Sequence, residues 1–302
     1  MKLLSVLTPQ GPRLAAKLPT GILIFSQAEG VIRNDGAPLP LTLLAALSAD
    51  GGLENLLERL ESIAALPEIQ KFVVAEDEVE IDRPFLPRNV VCVGLNYRDH
   101  AFECKRPIPK EPILFAKWNS AMTGPGDVIV LAPGSSEVDY EAELALVIGK
   151  ECRSVSAERA LEYVAGYACA NDVSARDFQR SDGQWVRAKS QDTFGPFGPY
   201  LVTRDEIADP QALSIRCSVN GRVLQESNTS EMIFSVRELI EFISRGITLH
   251  PGDLICTGTP KGIGQAQQPP VYLKAGDEVV VEIENLGRLA NPVAAFPAGR
   301  TA

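Results

Sequence analysis

The acidic stretch VDYEAELALVI, residues 138–148, decides the fold. Side chains alternate along a strand, so Asp139, Glu141 and Glu143 share one face. Carboxylates this close repel each other once water is excluded, so either solvent or a cation must separate them. Taken alone, the stretch favours a solvated face, whereas the apolar run at 144–148 favours a strand buried on both sides.

A second acidic position follows a run of small residues. The segment YACAN at 167–171 leads into Asp172, which is interpreted either as a helix N-cap or as a third oxygen ligand. Carboxylates and water are the ligands that Mg²⁺ prefers. Only His100 and His250 occur in the chain, so a histidine-rich zinc site is not expected.

His100 and Glu103 are three residues apart in NYRDHAFE, residues 96–103. If this segment is helical, both lie on one face, and Glu103 can orient the imidazole while one ring nitrogen stays basic. That is a general-base arrangement. For the pair alone, a simple surface contact is the favoured interpretation.

Two further segments offer polar groups. Lys189 precedes a Gly/Pro-rich run, where a solvated lysine is the default. The loop TGTPKGIG at 257–264 lacks the order of a nucleotide phosphate loop, but its N–H groups and the Thr259 hydroxyl can bind a carboxylate. The chain has no GxSxG elbow and no dinucleotide fingerprint, which argues against a serine hydrolase or a dehydrogenase.

The composition is that of a globular protein, with 302 residues, 45% of them hydrophobic, and a net charge of −10. This charge disfavours binding to nucleic acid or anionic membranes. The six cysteines form no CxxC pair, which favours buried thiols in a reducing compartment. The apolar N-terminus is interrupted at Thr8, too early for a signal peptide, so we expect a cytosolic protein without a membrane or nucleic-acid partner.

The chain is predicted to divide into a small N-terminal α/β domain, residues 1–81, and a larger domain, residues 82–302. An amphipathic helix is predicted near Leu53–Ala65, and the proline-containing residues 82–89 resemble a linker. In the larger domain, helices are predicted from Ser156 and, with a capping box, from Ser235. Many short strands and few helices favour an α+β, mostly β fold with a rolled or barrel-like β-core. Strands are predicted near 90–95, 127–131, 138–148, 199–203, 213–219, 254–257 and 278–284.

Five of these motifs, in the same order, resemble the fumarylacetoacetate hydrolase family. They cover nearly all of residues 90–287, whereas the first 81 residues resemble the family's variable N-terminal unit more weakly. The motifs are GLNYRDH (94–100), DYEAEL (139–144), NDVSARD (171–177), KSQDT (189–193) and TGTPKGIG (257–264).

The resemblance implies a mixed β-roll catalytic domain, a homodimer, and bound Mg²⁺ or Mn²⁺. It implies a lid that closes over a small 2-oxo carboxylate substrate, formed here by residues 101–112. The implied roles are metal ligands at Glu141, Glu143 and Asp172, catalytic residues at His100, Glu103 and Lys189, and substrate contacts at Arg176, Gln179 and Thr259. Asp139 has no ligand role in the matching pattern.

The leading functional hypothesis is a Mg²⁺-dependent hydrolase that cleaves a C–C bond in an acylpyruvate-type 2,4-dioxo acid. The alternative on the same scaffold is an oxaloacetate decarboxylase, a keto–enol tautomerase or a 2-hydroxyhepta-2,4-diene-1,7-dioate isomerase. A third hypothesis is a non-catalytic metal-binding scaffold, which would not require His100, Glu103 and Lys189.

Overall fold

The structure, a computed structural model, describes residues 1–28 and 38–297. The strands in this part of the chain are β1 (Lys2–Thr8), β2 (Gly11–Leu18), β3 (Gly21–Ile24), β4 (Val73–Val74), β5 (Glu80–Asp82), β6 (Val90–Gly94), β7 (Ile113–Lys117), β8 (Met122–Thr123), β9 (Ile129–Val130), β10 (Val138–Asp139), β11 (Ala142–Ile148), β12 (Val164–Asn171), β13 (Ser174–Ala175), β14 (Gly195–Thr203), β15 (Ser214–Val219), β16 (Arg222–Asn228), β17 (Leu254–Cys256), β18 (Glu278–Ile283) and β19 (Gly287–Ala294).

The α-helices there are α1 (Leu43–Leu47), α2 (Gly52–Ala64), α3 (Arg98–Glu103), α4 (Arg176–Asp182), α5 (Val186–Lys189) and α6 (Val236–Ser244). Short 3₁₀ helices occupy Phe25–Ala28, Pro67–Phe72, Glu76–Glu78, Asn119–Ala121, Ala160–Tyr163, Arg204–Glu206, Thr229–Glu231 and Gly264–Ala266.

The strands form one large sheet and two smaller ones. The large sheet has 12 strands in the order β4-β3-β2-β1-β14-β12-β11-β17-β6-β7, with β5 on β1 and β8 on β14. A sheet of 5 strands has the order β16-β15-β18-β19-β9, and β10 pairs with β13. The α+β, mostly β class is therefore confirmed, although the large sheet does not close into a barrel within the described residues.

β11 lies near the middle of the large sheet and is buried along its whole length. Leu144, Leu146 and Ile148 pack into one apolar core, while Ala145 and Val147 pack into the core on the opposite face. β12 and β17 both pair with β11 in antiparallel register, so its backbone is hydrogen-bonded on both sides. The polar residues at its N-terminal end are thereby held on a rigid base.

The N-terminal strands extend this same sheet. β1 pairs with β14 through Lys2 opposite Val202 and Leu3 opposite Leu201. The amphipathic helix predicted near Leu53–Ala65 is α2, with Leu53 and Leu60 buried. The division at residue 81 into two domains stays a prediction.

Other local predictions had mixed outcomes. The capping box at Ser235 is confirmed, and Asn220 and Gly221, with φ of 51° and 77°, form the hairpin turn between β15 and β16. The prediction of a helix from Ser156 is wrong, because only a 3₁₀ turn forms, at Ala160–Tyr163. Val164 then begins β12, which pairs with both β11 and β14. The strand predicted at 138–148 is interrupted at 140–141, where its pairing partner changes from β13 to β12.

Candidate active site

Strand pairing brings the three predicted metal ligands together. Glu143 lies on β11 opposite Ala170 of β12, and Asp172 follows directly after β12. The Asp172 N–H donates to the Glu141 carbonyl oxygen at 2.9 Å, which fixes the two chain segments at the sheet end. One carboxylate oxygen from each of Glu141, Glu143 and Asp172 lies within 4.8 Å of the others, and all three side chains are buried.

The donor set fits a hard divalent cation. All three groups offer oxygen, the ligand type that Mg²⁺ and Mn²⁺ prefer. Burial, together with the charges of Asp172 and Glu141, raises the pKa of Glu143 well above its usual range. Its carboxylate accepts one backbone hydrogen bond, from Gly258 N–H at 2.9 Å. A bound cation would relieve the repulsion among these carboxylates.

Lys189 lies between two of these carboxylates. Its Nζ atom is 2.7 Å from Glu141 Oε2 and 2.5 Å from Asp172 Oδ2, and its side chain is 2% exposed. Burial opposes the charge, but Asp172 and Glu141 outweigh it and raise the pKa of Lys189. The solvated lysine that its local sequence suggests is therefore wrong, because tertiary pairing buries it.

Lys117 is a second buried lysine at the site, and sequence reasoning missed it. Its Nζ atom lies 2.5 Å from Asp172 Oδ1 and 3.2 Å from the Val173 carbonyl oxygen. It ends β7 in the run ILFAK, where a lysine is commonly a solvated strand end. No signal in its own segment marks it, because it is buried by the pairing of β7 with β6, which only the structure shows.

Arg176 links the carboxylate trio to Asp139. Its Nη2 donates to Glu141 Oε1 at 2.5 Å, its Nε to Asp139 Oδ2 at 2.8 Å and its Nη1 to Gln179 Oε1 at 3.1 Å. Burial raises the pKa of Asp139 against the opposing effect of Arg176, whereas Arg176 and Lys189 overcome burial and lower the pKa of Glu141. Asp139 thus orients Arg176, and Arg176 orients Glu141.

His100 and Glu103 form a pair on α3. Nδ1 of His100 lies 3.3 Å from Glu103 Oε2, and the other Glu103 oxygen accepts the Gly262 N–H at 2.9 Å. Burial disfavours the imidazolium, but hydrogen bonds with Cys104 and Glu103 outweigh it and raise the pKa of His100 to about 9. At neutral pH the ring is therefore charged and able to donate a proton.

Thr259 is positioned by a buried glutamine on a neighbouring hairpin. Its hydroxyl donates to the Ala142 carbonyl at 2.9 Å and accepts from Gln225 Nε2 at 2.8 Å. The other end of the Gln225 amide accepts the Ala142 N–H at 2.9 Å. Sequence reasoning missed Gln225, because it stands in the polar strand RVLQESN, which resembles a solvated hairpin arm.

These groups surround a cavity of about 730 Å³. It is lined by His100, Glu103, Cys104, Arg106, Phe115, Glu141, Glu143, Arg176, Gln179, Trp185, Lys189 and Thr259, among others. At the site, four buried carboxylates (Asp139, Glu141, Glu143 and Asp172) lie near three buried lysine and arginine side chains (Lys117, Arg176 and Lys189) and the buried His100. A divalent cation would add two positive charges to this set and favour an anionic ligand.

Comparison with known proteins identifies the relatives of the chain. Residues 89–294 match the family described as fumarylacetoacetate (FAA) hydrolase C-terminal. A mitochondrial oxaloacetate tautomerase of Bos taurus is 54% identical over 209 residues, which are 68% of this chain and 67% of that protein. A fumarylacetoacetate hydrolase domain-containing protein 2 homolog of Dictyostelium discoideum is 42% identical over 279 residues, 85% of this chain and 92% of that protein.

A solved structure shares the fold over the full chain. The fumarylacetoacetate hydrolase of Exiguobacterium antarcticum superposes with a TM-score of 0.79 at 33% identity, over 98% of this chain and 100% of that one. At this identity the similarity extends beyond the fold to the family.

The prediction of a cytosolic location is wrong, because similar proteins from Bos taurus and Homo sapiens are mitochondrial. The reducing conditions inferred from free cysteines do not separate the cytosol from another internal compartment. In the part of the chain that the structure describes, no helix has the length and apolar character needed to cross a bilayer.

Proposed function

The chain belongs to the fumarylacetoacetate hydrolase family, and on that premise we propose that it is a divalent-metal-dependent keto–enol tautomerase of a small 2-oxo dicarboxylate, oxaloacetate. The observation that carries this proposal is the position of His100, paired with Glu103, in the same cavity as Glu141, Glu143 and Lys189. The sequence similarity to an oxaloacetate tautomerase supports it.

The metal ligands of the proposed enzyme are Glu141, Glu143 and Asp172, with Mg²⁺ or Mn²⁺ as the ion. When bound, the ion would polarise the 2-oxo group of the substrate and neutralise its adjacent carboxylate. The buried Lys189 and Arg176 both pair with Glu141, so two positive charges lie beside the proposed metal ligands. There they stabilise the negative charge that develops on the enolate oxygen. Thr259, whose hydroxyl donates to the Ala142 carbonyl and accepts from Gln225, lines the wall of the substrate cavity.

The proton transfer is assigned to His100. When the enol converts to the ketone, the imidazolium gives its proton to the substrate C3, and the enol hydroxyl loses its proton to water. In the reverse direction, neutral His100 takes the proton from C3. Glu103 accepts a hydrogen bond from the ring and stabilises its charged form, while Gly262 N–H holds the carboxylate in place.

The second candidate is the C–C hydrolase of an acylpyruvate, which the sequence favoured. The His100–Glu103 pair and the similarity to the hydrolase of Exiguobacterium antarcticum support it. Both reactions need neutral His100 at one step, so the charge of the ring does not separate them. The 54% identity to an oxaloacetate tautomerase ranks the tautomerase first. The homodimer stays a prediction in either case.

The deciding experiment offers the purified protein oxaloacetate or acetylpyruvate, with Mg²⁺ or with EDTA. A tautomerase accelerates the change in enol absorbance of oxaloacetate without forming pyruvate, and EDTA abolishes the acceleration. Accumulation of pyruvate from oxaloacetate would instead identify a decarboxylase. Cleavage of acetylpyruvate without any effect on oxaloacetate would establish the hydrolase. Glu141→Ala in a folded protein is the control for the metal site.

A further inference from the structure

Helix α3 and the residue that caps its C-terminus present a second set of potential metal ligands beside the carboxylate trio. One donor atom from each of His100, Glu103 and Cys104 lies within 4.8 Å of the others. The proposed function uses His100 and Glu103 but gives Cys104 no role. We propose that these three residues form a binding site for a soft divalent cation of the Zn²⁺ type, and that its occupancy inhibits the enzyme.

The spacing of the three residues supports this site. Positions i, i+3 and i+4 of a helical turn project from one face, so a single short segment supplies the whole set. Nδ1 of His100 lies 3.3 Å from Glu103 Oε2 and 3.7 Å from Cys104 Sγ. With ligand bonds of about 2.0–2.3 Å, neighbouring donors of tetrahedral Zn²⁺ stand about 3.3–3.8 Å apart. The His100–Glu103 separation therefore matches a tetrahedral ion. Cys104 Sγ also lies 3.8 Å from Nε2, so the thiol stands beside the ring, and its side chain must rotate about χ1 before the sulfur can share an ion with Nδ1.

The chemistry of the donors separates this site from the carboxylate trio. A thiolate and an imidazole favour Zn²⁺ or Co²⁺, whereas the trio offers only oxygen and favours Mg²⁺ or Mn²⁺. Gly262 N–H binds Glu103 Oε1 at 2.9 Å and leaves Oε2 directed at His100, as a supporting hydrogen bond does around many metal sites.

An ion can reach the site through the substrate cavity. His100, Glu103 and Cys104 all line that cavity, and the Glu103 and Cys104 side chains are partly exposed. Three protein ligands leave a fourth position for water, as in open zinc sites.

Binding needs no oxidant or reductant. The Cys104 thiol and the His100 imidazolium each release a proton to solvent, and the thiolate sulfur and a ring nitrogen donate their electron pairs to the cation. Glu103 exchanges its hydrogen bond with the ring for a bond to the ion. His100 then has no proton to deliver, so turnover stops until a chelator removes the cation. Only this inhibitory effect rests on the proposed function.

The test of the site uses Co²⁺ as a spectroscopic probe on the full-length protein, with Mg²⁺ kept in excess. We expect a thiolate-to-Co²⁺ charge-transfer band in the wild type and in Glu143→Gln, and its loss in Cys104→Ser. The matched control is Cys92→Ser, since the Cys92 thiol also lies near Asp172. We expect that variant to keep the band.

Calorimetric titration with Zn²⁺ in excess Mg²⁺ gives the affinity of each variant, which Cys104→Ser should weaken by more than about 100-fold, because losing a ligand costs more than losing its supporting contact. A wild type without the band, or a band that persists in Cys104→Ser or disappears in Cys92→Ser, would overturn the site. Inhibition is measured separately for each variant, as its rate of oxaloacetate turnover with Zn²⁺ and Mg²⁺ divided by its rate with Mg²⁺ alone. A correct band in a protein without oxaloacetate turnover would refute the proposed function and leave the site intact.

Discussion

Lys117 and Asp172 are 55 residues apart in the chain, yet Nζ of the lysine lies 2.5 Å from Oδ1 of the aspartate, and both side chains are at most 1% exposed. Lys189 occupies the other oxygen of the same carboxylate at 2.5 Å. Asp172 is therefore held between two buried lysines. Its position depends on them as much as on its own strand.

Removing Lys117 tests this dependence. Lys117→Met leaves a buried aspartate with one lysine fewer, and we expect the free energy of unfolding in EDTA to fall by about 3–5 kcal/mol. Added Mg²⁺ should recover part of this loss, because the ion supplies positive charge at the same carboxylates. Urea unfolding with and without Mg²⁺ measures both effects.

The control is Lys150→Met, which removes a pair with Glu54 whose partners are 45% and 40% exposed. A surface pair of this kind contributes at most about 1 kcal/mol, so a comparable loss in both variants would contradict the buried-pair argument.

Glu143→Gln is expected to stabilise the metal-free protein. The pKa of Glu143 is raised in the folded protein by burial and by its acidic neighbours. The free energy of unfolding therefore falls as the pH rises above the pKa that this carboxyl has in the unfolded chain. The variant should gain at least about 1 kcal/mol over the wild type in EDTA at neutral pH, and less as the pH falls towards 4. Thermal unfolding in EDTA and in Mg²⁺ checks this prediction. Equal stabilisation of both proteins by Mg²⁺ would exclude Glu143 as a ligand.

The charge on His100 predicts a pH dependence of stability. Its pKa is raised from 6.5 to about 9 in the folded protein. The stabilisation is therefore complete below pH 6.5 and is lost as the pH rises through 9. We expect the wild type to exceed His100→Gln in unfolding free energy by on the order of 2 kcal/mol more at pH 6 than at pH 10. A difference that does not change between these two pH values would contradict the charged imidazole.

Gln225 is predicted to act through Thr259. Gln225→Leu removes the hydrogen bonds that the amide makes with the Ala142 N–H and the Thr259 hydroxyl. Leaving those buried groups unpaired should cost about 1–3 kcal/mol of stability and raise the KM for oxaloacetate more than it lowers kcat. Val223→Ala, at a position 47% exposed on the same strand, is the control and should change neither quantity appreciably.

Arg106 is predicted to recognise the second carboxylate of the substrate. It lines the cavity from the segment predicted to form the lid, and no salt bridge among the described residues includes it. Arg106→Ala should weaken oxaloacetate binding by about 10–100-fold, because a charge-assisted hydrogen bond is lost. Pyruvate lacks that carboxylate, and its binding should be unchanged. Calorimetry with both ligands tests the prediction, and equal weakening of the two would refute it.

Features that depend on local pattern could be predicted from the residues alone. The apolar run at 144–148 indicated a strand buried on both faces, and Ser235 with Glu238 indicated a capped helix, because pleat alternation and N-cap hydrogen bonds are local. Five motifs in the same order identified the family, and with it the carboxylate trio, although Glu141 and Glu143 alone were better explained by solvent.

The pairing of buried polar side chains, in contrast, depends on contacts between distant segments. Lys117 and Gln225 resemble solvated residues in their own segments, and nothing near them in the chain indicates Asp172 or Thr259 as partners. The register of β11 against β12 and the pairing of β6 with β7 bring Asp172 and Lys117 to one sheet end. The separate five-stranded sheet supplies Gln225, on β16, to Thr259. Once water is removed, a buried polar group without a partner costs free energy, so these groups must pair with one another. This cost arises only after distant segments have packed.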